Sequence, residues 1–243
     1  MRLFVAVVPP AAVSAHLEGA LASVLGHPSP GDGTRALRWA ADDDRHLTLA
    51  FYGDVSAGDG EDIGQGLAGI ATEHDSFEVR LRGAGVFDRR IFWIGCGGDV
   101  AALGELTIDC VELGRSVTGR DDHRVRSRSH LTVARVVGQG RARNKRQHPA
   151  VDADPALEVI DLARALAVYE GPAWRVEELV LISSRPGEGR GGGPAYDPVA
   201  AYPLGRPAVA ATLRDGPRAG TPRLRAAPSA AALTRPKGSD VQS

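Results

Sequence analysis

Two short stretches carry residue types that can move protons: HLTLAF at residues 46–51 and HLTVAR at 130–135, 84 residues apart. Each reads as a β-strand with a two-residue period. In the first, His46, Thr48 and Ala50 fall on one face and Leu47, Leu49 and Phe51 on the other; in the second, His130 and Thr132 share a face. A single half-buried imidazole on a strand usually does no more than satisfy a neighbouring backbone group. A repeat shifts that balance. Two imidazoles offer one general acid and one general base near neutral pH without metal or cofactor, which suits phosphodiester chemistry. A threonine two residues along the same face can donate its hydroxyl to a non-bridging phosphate oxygen, where negative charge grows in the transition state.

The elements that would position these residues follow from apolar spacing. Residues 3–8 read as a buried strand and 11–25 as a helix entered through Pro9 and Pro10. After a Pro- and Gly-rich loop, 37–39 and 46–53 are extended around the acidic turn Asp42-Asp43-Asp44, and a helix is expected near 57–74. Residues 77–87 and 91–96 form a strand pair turned by Asp88-Arg89-Arg90, and 100–117 has helical spacing. The second motif lies on a strand over 128–137. A helix over 155–168, a strand over 176–184, the glycine-rich 187–193 and a last strand over 196–204 complete the order. Each half contributes one HLT strand, so mixed elements around a sheet predict an α+β fold with pseudo-two-fold symmetry. His46, Thr48, His130 and Thr132 would then converge on one small volume.

The 243 residues, 43% hydrophobic and 24% charged with a formal net charge of −1, suit a soluble globular protein and give no general attraction to nucleic acid or membrane. Cys96 and Cys110 have no disulfide or CxxC spacing and are expected to be reduced and buried. The N-terminal MRLFVAVVPP stops at two prolines with no cleavage site behind it, so it reads as a strand and not a signal peptide. No stretch approaches the ~20 apolar residues of a membrane helix. A cytoplasmic monomer with no cofactor is expected. His16, His27, His74, His123 and His148 lack HxxxH or HxH spacing, and no metal site is read among them. The glycines of 187–193 lack the GK[ST] ending of a phosphate loop.

Two segments stand apart. Residues 138–150 carry Arg141, Arg143, Lys145 and Arg146 with almost nothing apolar, which makes them either a solvated surface loop or a track along RNA phosphates. From 205 onward the last 39 residues are Pro-, Ala- and Arg-rich, with seven basic and two acidic side chains. They predict a disordered basic tail behind a domain at residues 1–204.

With both motifs in place, the chain resembles the two-histidine phosphoesterases, and among them the RNA 2′,3′-cyclic phosphodiesterases, also called 2′-5′ RNA ligases. RLFVAVVPP, LRWAADDDRHLTLAFYGDV, AGVF, IFWIGC, VEELVLISSR and YDPVAAYPL carry the resemblance in that order, over nearly all of residues 1–204. It implies a bilobal fold in which two antiparallel sheets flank a concave cleft, helices outside, with one motif from each lobe. It further implies that His46 protonates the departing 3′ oxygen, that His130 activates water, and that Thr48, Thr132 and Arg135 bind the phosphate. The expected activity is hydrolysis of RNA 2′,3′-cyclic phosphate ends to 2′-phosphomonoesters, with 2′-5′ ligation as its reverse. A small cyclic nucleotide or 2′-5′ oligonucleotide as substrate, or a non-catalytic RNA-binding module, are the alternatives. Phe4 is read either as a face for base stacking or as core. The chain departs from the family before the second motif, where Arg126-Ser127-Arg128-Ser129 lacks two usual prolines.

Overall fold

The computed structural model describes residues 1–25, 37–120, 128–137 and 155–205. Its elements run β1 (Arg2–Val7), α1 (Ala11–Leu25), β2 (Leu37–Trp39), β3 (Leu47–Asp54), α2 (Ala57–Glu73), β4 (Phe77–Phe87), β5 (Ile91–Gly98), α3 (Val100–Thr118), β6 (His130–Val136), α4 (Pro155–Ala165), β7 (Glu170–Val176), β8 (Glu178–Arg185) and β9 (Ala195–Pro203). The strands form one antiparallel sheet in the order β7-β4-β5-β6-β3-β1-β8-β9, with β2 also on β6. The two sheets expected from the sequence are its two halves. They are hydrogen-bonded through the single pair Leu47↔Leu131 between β3 and β6. Beyond that pair β2 takes over the same edge of β6, from Ala134 to Val136, and the halves separate.

The helices bury stripes of i, i+4 apolar residues against one face of this sheet. Val13, Leu17 and Leu21 do so in α1, and Ile63, Leu67 and Ala71 in α2. Helix α2 starts at a capping box in which Ser56 accepts from the Asp59 amide and Asp59 from the Ser56 amide. Helix α3 is capped by Asp99 and ends at Gly119 in the left-handed region. Helices α2 and α3 pack on each other and on the first half of the sheet, whereas α1 and α4 pack on the second. Thus α1 and α3 each cross to the half that their preceding strand does not belong to, which interlocks the halves.

Three sequence expectations need correction. The segment before β8 is itself a strand: the helix of 155–168 ends at Ala165, and β7 follows from Glu170. Its burial alternates with one break at Pro172 and Ala173, and Pro172 argues against a strand, but β7 is the sheet's outer strand, where a missing amide costs no ladder bond. Cys110 is buried as expected, but Cys96 is only partly so; both are free thiols. The third correction concerns the motif strands and is described with the site. The basic segment 138–150 and the tail from 206 lie outside the described residues. Among the described residues, no helix is long and apolar enough to cross a membrane.

Candidate active site

Both motif strands break the simple alternation at the same place. On β1, Val5 pairs with Ala50 and Ala6 with Thr48, so Leu49 is an extra residue. On β5, Phe92 pairs with Ala134 and Trp93 with Thr132, so Val133 is extra. Each is a β-bulge, and past it the facing of the strand is reset by one residue. Leu47, Leu49, Ala50 and Tyr52 are therefore all buried, while His46, Thr48 and Phe51 line a cleft. In the second strand Leu131, Val133 and Ala134 are buried, and His130, Thr132 and Arg135 line the same cleft. Phe51 thus shares a face with His46, contrary to the sequence reading. The bulge at Val133 likewise explains how Arg135, an odd number of residues after His130, reaches the cleft.

The Leu47↔Leu131 pair sets the register across the join. Continued by one residue in an antiparallel pair, it directs His46 toward Thr132 and His130 toward Thr48. The four side chains line one cleft of about 530 Å³.

Backbone carbonyls orient both rings. His46 Nδ1 lies 2.8 Å from the Asp44 carbonyl oxygen and His130 Nδ1 lies 3.1 Å from that of Arg128, in each case two residues upstream. A carbonyl only accepts, so in each neutral ring Nδ1 carries the proton and Nε2 is the basic nitrogen. The missing prolines before His130 do not prevent this contact. Arg45 fixes the lead-in to His46. It is 4% exposed, ion-paired with Glu18 of α1 and with Asp42 at 3.3 Å, and donates to the Ala40 carbonyl at 3.2 Å. The Ala40 amide in turn donates to the carbonyl of the bulge residue Val133 at 2.8 Å, tying the approach of one motif to the other.

Aromatic rings flank each histidine. His46 lies 4.7 Å from Phe4 and 5.1 Å from Tyr196, and His130 lies 4.8 Å from Phe87 and 6.1 Å from Trp93. Phe4 is fully buried. It therefore cannot offer a face to a base, and the stacking role gives way to a floor beneath His46. Burial raises the Tyr196 hydroxyl above its usual range, with Arg135 opposing, so Tyr196 stays a neutral phenol. Burial also raises the Asp44 carboxyl, with Asp43 adding and Arg190 opposing.

The sequence reading did not find Arg38, Arg190 or Tyr196, which also line the cleft. Their contribution depends on chain crossings: β2 lies on β6, and the β8–β9 hairpin lies on the first half. The connection at 187–193 is that hairpin's turn, and its Arg190 and Gly193 reach the cleft. The remaining described histidines have other partners. His16 Nδ1 lies 3.1 Å from the Tyr169 hydroxyl, and His74 Nε2 pairs with Asp109 at 2.7 Å.

Comparison with known proteins finds related phosphoesterases. A family model described as LigT like Phosphoesterase matches residues 13–93. An RNA 2′,3′-cyclic phosphodiesterase of Geobacillus stearothermophilus is 31% identical over 185 residues, covering 72% of this chain and 51% of that protein. One of Aeropyrum pernix is 35% identical over 106 residues, covering 42% of this chain and 58% of that protein. The chain thus spans between half and two thirds of the length of these two curated relatives. A solved structure from Thermus thermophilus aligns with a TM-score of 0.58 at 25% identity, covering 84% of this chain and 98% of that one. The chain is thus similar to the LigT-like phosphoesterases, the family its repeated motif resembles.

Proposed function

We propose that the protein hydrolyses RNA ends bearing a 2′,3′-cyclic phosphate, leaving a 2′-phosphomonoester and a 3′ hydroxyl. The observation that carries this is the matched pair of Nδ1 contacts at His46 and His130, which makes Nε2 the basic nitrogen of both rings in one cleft and supports a pair of proton transfers. Displacement at phosphorus places the attacking and departing oxygens roughly in line, so the base and acid should stand on opposite sides. His130 Nε2 takes a proton from water as its oxygen bonds to phosphorus. The bond from phosphorus to the 3′ oxygen breaks, and His46 Nε2–H supplies the proton that oxygen needs. Each transfer contributes on the order of 10² to 10⁴-fold. Thr48, Thr132 and Arg135 hold the non-bridging oxygens as their charge grows. The ligation direction runs the same steps backward with acid and base exchanged.

Both proton transfers are met by side chains, so the reaction should proceed in EDTA. The relatives' names, RNA 2′,3′-cyclic phosphodiesterase, support RNA ends over free nucleotides. A short RNA with a 2′,3′-cyclic phosphate end, incubated in EDTA, should yield only the 2′-phosphate. A 3′-phosphate product would reverse the geometry. Binding without turnover would leave a recognition module.

A further inference from the structure

A second cavity, of about 450 Å³, adjoins the catalytic cleft and shares Arg38, Asp88, Ile91 and Arg135 with it. Arg90 lines only this second space. Three arginines line it, and the sheet register places two of them, Arg38 and Arg135, side by side. Arg38 on β2 stands directly opposite Arg135 on β6, and Arg135 stands opposite Ile91 on β5, the neighbour of Arg90. Asp88 also lines the cavity, beside Arg38, Arg90 and Arg135.

The backbone here is held in place. The Arg90 amide donates to the Phe87 carbonyl at 2.9 Å, and its carbonyl accepts from the Val136 amide at 2.8 Å. Between these contacts Asp88 and Arg89 have φ of 49° and 54°, a left-handed pair that two-residue hairpin turns normally assign to Asn and Gly. Side-chain-bearing residues kept in that region point to a functional constraint on this turn. Arg135 lies two rungs of β5 beyond Thr132, from Trp93 to Ile91, roughly 7 Å of strand and comparable to one nucleotide.

We propose that this cavity is a second phosphate subsite, which takes the phosphate on the 5′ oxygen of the terminal nucleoside while the reacting phosphate lies between the histidines. The proposal rests on the function proposed above and extends it. In an RNA strand this second phosphate is the diester to the preceding nucleotide, so the site would prefer a strand end to a mononucleotide. Contacts to it carry no base identity, and their strength falls with salt.

The test needs no turnover. Affinities are measured by calorimetry on the full chain for a nucleoside 2′-monophosphate, a nucleoside 2′,5′-bisphosphate and a dinucleotide ending in a 2′-phosphate. The dinucleotide should bind about tenfold more tightly than the monophosphate. Arg90→Gln should bring that ratio close to one, and Arg90→Lys should keep part of it. A dinucleotide that binds no better than the monophosphate, or an Arg90→Gln loss equal for both, overturns the subsite. A bisphosphate that binds tightly beside a dinucleotide that does not overturns the strand reading. Absence of cyclic-phosphate hydrolysis would defeat the function proposed above while leaving this ratio measurable.

Discussion

In both halves of the sheet the motif strand slips one residue after its threonine, at Leu49 against β1 and at Val133 against β5. The side chains around the two bulges differ. Phe4 pairs with Phe51 on the first side, and the matching rung on the second is Ile91 with Arg135. Across from Thr48 stands Ala6, whereas across from Thr132 stands Trp93. His46 rests on a buried phenylalanine with the edge of Tyr196 beside it. His130 meets a stack of Phe87 and Trp93, whose rings lie 5.0 Å apart. Trp93 fits only because residue 85 is glycine, since a Cβ there would stand 2.3 Å from the indole. The backbone is thus repeated and the furnishing is not. An in-line displacement asks for this combination: acid and base in matching geometry on opposite sides, and one anion bound by an uneven distribution of charge.

The sharpest way to break the comparison is to remove the histidines one at a time. His46→Ala and His130→Ala should each lower kcat/KM on cyclic-phosphate RNA by about 10³-fold. A nitrophenyl phosphodiester has a leaving group that needs no proton, so His46→Ala should recover most of its rate on it and His130→Ala should not. Equal losses on both substrates would remove the distinction between acid and base. Next in size is the floor of the first half. Phe4→Ala empties a fully buried site and should cost about 3 kcal/mol in urea unfolding, whereas half-buried Ile91→Ala at the matching rung should cost about 1 kcal/mol. Equal costs would mean that the two rungs are packed alike.

Much of this was legible in the chain. The HxT repeat located four of the cleft residues, and apolar spacing placed the four α-helices of the described residues, because periodic burial writes itself into sequence. What escaped notice depends on events between distant segments. A bulge is a mismatch between two strands, so neither HLTLAF nor HLTVAR shows it alone, and Phe51 was assigned to the wrong face. The strand β7 was hidden by Pro172, which only an edge position excuses. Phe4 could not be told from a stacking platform until β1 was seen covered by β9 residues such as Tyr196. Arg38 and Arg190 needed the chain crossings that bring β2 and the β8–β9 turn to the cleft.

The mildest contrast lies two residues before each histidine, where the carbonyl that orients the ring belongs to Asp44 on one side and to exposed Arg128 on the other. The Asp44 carboxyl is held above its ordinary 3.8, first by burial and then by Asp43. A raised folded value means that the native state binds this proton more tightly than the unfolded chain does. Stability from this group is therefore full below its unfolded value and is lost as pH rises through the raised one, so at neutral pH the charged form is a net cost. Asp44→Asn keeps the carbonyl that holds His46 and removes the charge. It should raise Tm slightly at pH 7, leave it nearly unchanged well below pH 3.8 and flatten the decline between. Arg128→Gln should do none of these. A lower Tm for Asp44→Asn at pH 7 would show that the pairing with Arg190 outweighs burial, and that the first half, too, depends on a charge at its motif.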